Sequence, residues 1–237
     1  MTLATGSTTR APGGDLALID AGGANLGSVR YALARIGAAP RLVRDADELG
    51  TPERIILPGV GAAAPSMTLL RTRGLDAALR ASEAPLLGVC VGMQLLFERS
   101  EEGDVECLGL LPGRVCRLPA APGLRIPHMG WNTLRRRPGL AGDAAALLDG
   151  IDDGAHAYFV HSFAHAVDAH VVDAHAVDVH AVDAGDTSRD VVLADSEHGV
   201  RFAAVVGQGR RFGAQFHPER SSAVGLRLLS NFLSLPA

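Results

Sequence analysis

The chain has 237 residues, a length that fits one ordinary domain or one large α/β unit. Hydrophobic residues make up 47% of the chain and charged residues 20%, so the composition predicts a packed core and excludes global disorder. The formal net charge of −4 argues against a nucleic-acid-binding protein, and because all 22 basic residues are arginine, mechanisms that need a lysine are excluded.

The first half of the chain alternates short apolar strands with helices. Residues 1–14 are small and polar, which predicts a disordered leader without the apolar segment of a signal peptide. Short strands are predicted at residues 16–20, 41–43, 54–57 and 85–90. Apolar residues recur at helical spacing at Val29, Ala32, Leu33 and Ile36. The alternation indicates an α/β fold with a parallel sheet.

The second half of the chain has a β-rich pattern. Residues 105–123 are broken by proline and glycine, which predicts hairpins and loops. Further strands are predicted at residues 157–160, 191–193, 202–206 and 212–216, and a closing helix at 221–233. The most apolar stretch, residues 84–97, is too short to span a bilayer, so we expect a soluble cytoplasmic protein.

Four copies of a pentapeptide that begins with histidine and has aspartate in fourth place occupy residues 165–184. A metal site is one interpretation of this composition, but a period of five matches neither a strand nor a helix and does not bring ligands together. We therefore interpret the block as a low-complexity insertion in a surface loop. The predicted organisation is a leader at 1–14 and one domain at 15–237 that contains this insertion, with no metal and no cofactor.

Cys90 lies in the sequence Gly88-Val-Cys-Val-Gly92, between a predicted strand and a predicted helix. This is the form of a nucleophile elbow with cysteine in place of serine. Its glycines allow a strained turn, and a helix N-terminus beside the sulfur favours the thiolate. An inert buried cysteine is the alternative, and it is our interpretation of Cys107 and Cys116, since three cysteines are too few for a disulfide framework or a zinc cluster.

A candidate base follows in the sequence His217-Pro-Glu219. Proline keeps the preceding histidine out of helical angles, and in an extended chain residues two apart share a face, so Glu219 is expected to orient the His217 ring. A cysteine nucleophile needs a base of this kind. The other isolated histidines lack such a partner, and we interpret them as structural: His128, His156, His161 and His198.

A glycine-rich turn, Pro58-Gly-Val-Gly61, follows the third predicted strand. Backbone N–H groups of Gly59, Val60 and Gly61, together with that of Val91, are candidates for an oxyanion hole. An ordinary glycine turn is the alternative interpretation.

These motifs, in this order, resemble those of the class I (triad) glutamine amidotransferases. A finer resemblance, over residues 16–235 except for the repeat, is to the glutaminase subunits of imidazole glycerol phosphate synthase, the HisH type. The segments that carry it are Asn25-Leu-Gly-Ser-Val29, Pro58-Gly-Val-Gly61, Leu87-Gly-Val-Cys-Val-Gly-Met-Gln-Leu-Leu96, Pro127-His-Met-Gly-Trp-Asn132, Tyr158-Phe-Val-His-Ser162 and Phe212-Gly-Ala-Gln-Phe-His-Pro-Glu219.

The resemblance implies a flavodoxin-like fold with a central, mostly parallel sheet flanked by helices. It implies that Cys90 attacks the side-chain amide of glutamine, with His217 as base and Glu219 orienting it. The implied product is ammonia, delivered in a heterodimer to a (β/α)8-barrel cyclase subunit of the HisF type, which forms imidazole glycerol phosphate and aminoimidazole carboxamide ribotide in histidine biosynthesis. The implied glutamine-binding residues are Gln94, Glu102, Ser162 and Phe163, and the implied partner-interface residues are Trp131, Tyr158 and Arg220.

Three positions differ from the family pattern: Arg220 stands where lysine is usual, Phe163 where tyrosine is usual and Ala24 where glycine is usual. Two other functions stay open on the sequence: a glutaminase that serves another amidotransferase partner, and a subunit that binds its partner without turnover. A cysteine peptidase of similar fold is a more distant alternative.

Overall fold

The predicted strands of the first half form one sheet in the computed structural model, which describes residues 14–22, 26–59, 61–167 and 190–237. In chain order the strands are β1 (Leu16–Ile19), β2 (Arg41–Val43), β3 (Arg54–Gly59), β4 (Leu86–Cys90), β5 (Arg99–Ser100), β6 (Val105–Glu106), β7 (Arg114–Arg117), β8 (His128–Thr133), β9 (Arg135–Arg136), β10 (His156–His161), β11 (Phe163–Ala164), β12 (Val192–His198), β13 (Val200–Gln208) and β14 (Arg211–Ala214).

The helices lie between these strands and at the C-terminal end. They are α1 (Leu26–Arg35), α2 (Ala46–Leu49), α3 (Ala63–Thr72), α4 (Leu75–Ala81), α5 (Val91–Gln94), α6 (Gly142–Leu147) and α7 (Ser222–Ser234), with a 3-10 turn at Pro218–Arg220. The predicted helices α1 and α7 are confirmed. The helix after Cys90 is shorter than the sequence suggested, because the chain turns after one helical turn and continues into β5.

The central sheet has eight strands in the order β2-β1-β3-β4-β14-β13-β12-β9. The first five are parallel to their neighbours, and the last three are added in antiparallel pairing at one edge. Two smaller sheets, β10-β8 and β11-β7-β5-β6, come from residues 99–164. The α/β class, the mostly parallel central sheet and the β-rich second half are thereby confirmed.

The sheet is buried on both faces. All residues of β3 and β4 are buried, as expected for parallel strands that helices cover on both sides. Helix α1 contributes Val29, Ala32 and Leu33 to this core, and α7 contributes Leu228 and Phe232 among others. The apolar spacing that predicted the two helices therefore marks the faces that pack on the sheet.

Strands β3 and β4 end side by side, with Gly59 paired to Cys90 in the last register position. The carboxyl ends of neighbouring parallel strands are the usual place for a ligand in an open α/β sheet. The glycine-rich turn and the cysteine elbow, which are distant in sequence, therefore meet at one edge of the sheet.

The pentapeptide block begins inside the fold. His165 is buried, stacks on Phe97 with 4.5 Å between ring centres, and contacts the Arg114 carbonyl oxygen through Nδ1 at 2.8 Å. The Val167 N–H donates to the Arg201 carbonyl. Residues 168–184, like residues 1–13 of the predicted leader, lie outside the described residues. Among the helices of the described ranges, none is long and apolar enough to cross a bilayer.

Candidate active site

Cys90 has an unusual backbone conformation at the junction of β4 and α5. Its φ of 53° and ψ of −114° are rare for a residue with a side chain, and such strain is concentrated at functional sites. The junction requires Gly92, since a Cβ atom there would lie 1.9 Å from the Leu57 carbonyl oxygen. The elbow predicted from the sequence is therefore held by the close passage of α5 over β3.

His217 and Glu219 are paired as the sequence predicted, but by a different backbone route. His217 has extended angles (φ −94°, ψ 101°), whereas Pro218 and Glu219 belong to a 3-10 turn. The expectation of an extended chain through Glu219 was wrong: the turn, not the two-residue repeat of a strand, brings its carboxylate back to the ring. His217 Nδ1 lies 2.8 Å from Glu219 Oε1, and both side chains are buried.

Strand β10 fixes the position of this turn. The His217 N–H donates to the Tyr158 carbonyl at 3.0 Å, and the Tyr158 N–H donates to Ser221 Oγ at 2.9 Å. The Ser221 hydroxyl in turn donates to the His217 carbonyl at 2.7 Å. Two of these hydrogen bonds hold the backbone of His217, and the third ties Ser221 to β10, so the position of the turn depends on β10.

The electrostatics of His217 follow from its neighbours. Burial lowers its pKa, but hydrogen bonds to Cys90 and Glu219 and the charges of the same two groups outweigh burial and raise the pKa to about 10. Cys90 and His217 line the same cavity. Since Glu219 occupies Nδ1, the other ring nitrogen, Nε2, is the atom left for the sulfur.

These groups line a cavity of about 490 Å³. The predicted site residues that border it are Gly59, Gly61, Cys90, Val91, Gln94, Glu102, Ser162, Phe163, His217, Glu219 and Arg220. Val60 and Ala24 lie outside the described residues. Ser28, Val160 and His161 also line the cavity and were not predicted.

Two polar side chains of the cavity are held by buried contacts. Gln94 Nε2 donates to the Phe163 carbonyl at 2.8 Å and to Gln215 Oε1 at 3.1 Å. Glu102 Oε2 accepts from the Ala63 N–H at 2.8 Å. Burial raises the pKa of Glu102, and the hydrogen bond from Ala63 offsets part of this effect. Amide and carboxylate groups at these positions are suited to bind a small polar substrate.

Two groups of functional candidates were missed by the sequence analysis. Gln215 is fully buried, and its Nε2 lies 3.9 Å from Cys90 Sγ. It stands two residues before His217 in the segment Phe212-Gly-Ala-Gln-Phe-His-Pro-Glu219, and this proximity is the sequence signal for its place in the site. His128, His161 and His198, interpreted as isolated, lie together: His128 Nδ1 is 3.1 Å from His161 Nε2, and the His128 and His198 rings stack at 4.2 Å. Their sequence spacing carries no sign of this cluster.

The three predicted interface residues form an aromatic and cationic group beside the cavity. Trp131 is 54% exposed and packs edge to face on Tyr158, with 5.8 Å between ring centres. The Arg220 guanidinium lies over the Tyr158 ring, 4.5 Å from the ring centre. Met129, on the same face of β8 as Trp131, is 64% exposed. Large exposed apolar side chains that adjoin one another are typical of a protein-binding surface.

The arrangement is suited to one class of chemistry. A thiol within reach of an imidazole that a buried carboxylate orients is the arrangement of an acyl-transfer nucleophile. Gly59 and Gly61 line the same cavity as the sulfur. Backbone N–H groups of such glycines are suited to stabilise an oxyanion.

Comparisons with known proteins agree with this chemistry. Residues 17–235 match the family model of the class-I glutamine amidotransferases. The imidazole glycerol phosphate synthase subunit HisH of Xanthomonas euvesicatoria is 53% identical over 93% of this chain and 98% of its own length. The protein of the same name from Xylella fastidiosa is 52% identical over 94% of this chain and 98% of its length.

Solved structures share the fold at much lower identity. A glutamine amidotransferase crystal structure has a TM-score of 0.64 and 21% identity over 93% of this chain and 97% of its own. PurLQS from Thermotoga maritima has a TM-score of 0.63 and 21% identity over 94% of this chain and 98% of its own. The chain thus belongs to the class I glutamine amidotransferase family and, within it, to the HisH subunits of imidazole glycerol phosphate synthase.

Proposed function

We propose that this chain is the glutaminase subunit of an imidazole glycerol phosphate synthase, which hydrolyses glutamine and supplies ammonia to a cyclase subunit. The observation that carries the proposal is the convergence of Cys90, His217 and Glu219 on one cavity. The close relationship to HisH subunits over nearly the whole chain supports the choice of partner.

In the first half-reaction, His217 is the base that holds the Cys90 thiol proton as an imidazolium, in keeping with its raised pKa, and the Cys90 sulfur attacks the side-chain amide carbon of glutamine. The oxygen of the tetrahedral intermediate is stabilised by backbone N–H groups of the Gly59–Gly61 turn and of Val91. The carbon–nitrogen bond then breaks, the imidazolium of His217 protonates the leaving nitrogen, and ammonia departs from a glutamyl thioester.

In the second half-reaction, water adds to the thioester. His217 accepts a proton from the water, the carbon–sulfur bond breaks, and the proton returns to the Cys90 sulfur, so that glutamate and free enzyme are formed. Glu219 stays ionised throughout and stabilises the imidazolium. Gln94, Glu102, Ser162 and Phe163 hold the glutamine, since all four border the cavity around the sulfur.

Ammonia passes to the (β/α)8-barrel cyclase subunit, which docks on the surface formed by Trp131, Tyr158 and Arg220. The contact between Arg220 and Tyr158 joins this surface to the turn that carries His217 and Glu219. The cytoplasm is the proposed location, because the three cysteines, Cys90 among them, are free thiols and reducing surroundings keep them so.

The test is glutamate release from glutamine, measured for the chain alone and in complex with a HisF-type cyclase subunit and its nucleotide substrate. We expect strong stimulation in the complex and its loss in Cys90→Ala. Release without stimulation would assign the glutaminase to another partner. A folded chain that binds the cyclase but releases no glutamate would instead be a binding subunit without turnover.

A further inference from the structure

A chain of hydrogen-bonded groups leads from strand β8 to the sulfur of Cys90. Its side chains, Asn132 apart, are nearly inaccessible to solvent, with exposed fractions of 4% for His128, 6% for His161, 2% for Gln94 and 0% for Gln215. The successive links join Asn132 Nδ2 to His128 Nε2 (3.2 Å), His128 Nδ1 to His161 Nε2 (3.1 Å), His161 Nδ1 to Phe163 O (2.9 Å), Gln94 Nε2 to Phe163 O (2.8 Å), Gln94 Nε2 to Gln215 Oε1 (3.1 Å), and Gln215 Nε2 to Cys90 Sγ (3.9 Å).

The contacts fix which nitrogen of each histidine carries the proton. A carbonyl oxygen only accepts, so His161 must donate to Phe163 from Nδ1, and its Nε2 is then an acceptor. His128 must therefore donate from Nδ1, which leaves its Nε2 to accept from Asn132. Burial, with smaller contributions from neighbouring histidines, lowers the pKa of His128 to about 4 and that of His161 to about 3. Each ring is consequently neutral at pH 7 and carries a proton on one of its two nitrogens.

Independent contacts set the orientation of the Asn132 amide. The Thr133 N–H donates to Asn132 Oδ1 at 2.8 Å, and Asn132 Nδ2 donates to the Glu197 carbonyl at 2.8 Å. The second N–H of the same amide faces His128. The donor and the acceptor of each hydrogen bond between Asn132 and the Phe163 carbonyl can therefore be derived in two ways. One derivation starts from the Phe163 carbonyl, and the other starts from the Asn132 amide.

The chain cannot carry a proton to the nucleophile. Donors from His161 and from Gln94 converge on the Phe163 carbonyl oxygen, and a carbonyl that accepts two hydrogen bonds has no proton to pass on. What the chain can do is hold geometry, because each of its side chains other than that of Asn132 is buried and each group has its partner in one orientation only.

We propose that His161, His128 and Asn132 are positioning residues, which hold the Phe163 carbonyl and, through Gln94 and Gln215, the Cys90 sulfur in place for attack on glutamine. This inference rests on the proposed glutaminase function. It assigns a role to the histidine of the Pro127-His-Met-Gly-Trp-Asn132 segment that is separate from partner docking: His128 is buried, whereas its neighbour Met129 is exposed.

The first test is a direct observation of the tautomers. We expect ¹⁵N NMR of the histidine-labelled protein at pH 7 to find His128 and His161 neutral and protonated on Nδ1. In Asn132→Asp, which has nearly the same shape but only accepts through its carboxylate, we expect His128 to gain a proton on Nε2 while it keeps the proton on Nδ1. A wild-type protein with either histidine protonated on Nε2 would overturn the inference, whatever the variants do.

The second test measures turnover in the complex with the cyclase subunit and its nucleotide substrate. His161→Phe removes both links of the ring, and we expect kcat for glutamate release to fall by about 10-fold or more, since small misplacements of reacting groups are costly. His161→Asn keeps an N–H near the position of Nδ1, so it is expected to regain most of the loss. Equal kcat values for the two variants would show that the N–H donated to the Phe163 carbonyl does not matter and would contradict the proposal.

His165→Ala is the matched control, because His165 is also buried and its side chain contacts the Arg114 carbonyl and the Phe97 ring, which are not groups of the chain. We expect this variant to lose stability while kcat per folded molecule is unchanged. The outcomes also separate the two proposals. A wild-type complex that releases no glutamate contradicts the glutaminase function, whereas an active wild type with unaltered His161→Phe turnover contradicts the positioning role alone.

Discussion

Glu219 Oε1 lies 2.8 Å from His217 Nδ1, and only 1% of the Glu219 side chain is exposed to solvent. A carboxylate buried to this extent is stabilised only where a donor or a positive charge faces it. The pair therefore favours the imidazolium of His217 and places the proton of the neutral ring on Nδ1, which leaves Nε2 free to accept a proton from Cys90.

Substitution of Glu219 by Gln tests this relationship with almost no change of shape. We expect kcat for glutamate release in the cyclase complex to fall by about 100-fold or more, since loss of the orienting carboxylate both destabilises the imidazolium and permits the wrong tautomer. KM for glutamine is expected to change little, because Glu219 is bonded to His217. Turnover within threefold of wild type in a folded Glu219→Gln protein would exclude the orienting role.

The raised pKa of His217 also predicts how stability depends on pH. Because the folded pKa of about 10 lies above the ordinary value of 6.5, protonation of His217 stabilises the fold fully below pH 6.5, and this contribution is lost as pH rises toward 10. Denaturant unfolding at pH 6, 8 and 10 is expected to show a smaller loss in the free energy of unfolding for Glu219→Gln than for wild type. The reason is that Glu219 is one of the two groups that raise the pKa of His217. Parallel curves for the two proteins would contradict the pKa assignment.

The parts of the site that sequence patterns predict are those made by local backbone. The glycines around Cys90 permit a strained turn and the proline after His217 restricts the residue before it, so both motifs act within a few residues and are visible in the sequence. Gln215 and the His128–His161 contact depend on strands that pair across long sequence distances, and nothing in the spacing of these residues indicates which of them meet. Helices α3, α4 and α6 were missed because glycine, proline and alanine obscure their apolar period.

Gly225 is expected to be essential for the position of the His217 turn. A Cβ atom on Gly225 would lie 1.8 Å from the Pro218 carbonyl oxygen, so Gly225→Ala must push α7 away from the residues between His217 and Glu219. We expect a loss of about 1–3 kcal/mol in the free energy of unfolding and a kcat at least about 10-fold lower.

Gly27→Ala is the control for this experiment. Gly27 lies in helix α1, and no atom of the described residues comes within 4 Å of the position that a Cβ would take. Alanine is the better helix former by about 1 kcal/mol, so this variant is expected to be unchanged or slightly stabilised. Equal unfolding energies for the two variants would mean that α7 adjusts without cost.

We expect the first histidine of the pentapeptide block to contribute to stability and the last three copies to be dispensable. His165 is buried against Phe97, so His165→Ala should lower the unfolding temperature, since it empties a packed position. Deletion of residues 170–184, which removes three whole copies, is expected to leave glutamate release and the unfolding temperature unchanged. Loss of activity on that deletion would show that the repeat is part of the working enzyme.

Trp131 is the expected centre of the cyclase interface. Its ring is half exposed, is held edge to face by Tyr158, and lies beside exposed Met129, so a partner can bury it without reorganisation. Trp131→Ala is expected to raise the Kd of the complex by about 30-fold, the equivalent of about 2 kcal/mol, in titration calorimetry. Gln208→Ala is the control, because the Gln208–Arg211 register pair adjoins Leu86, at the opposite end of β4 from Cys90. A Kd for Trp131→Ala equal to that of the control would place the cyclase on another surface.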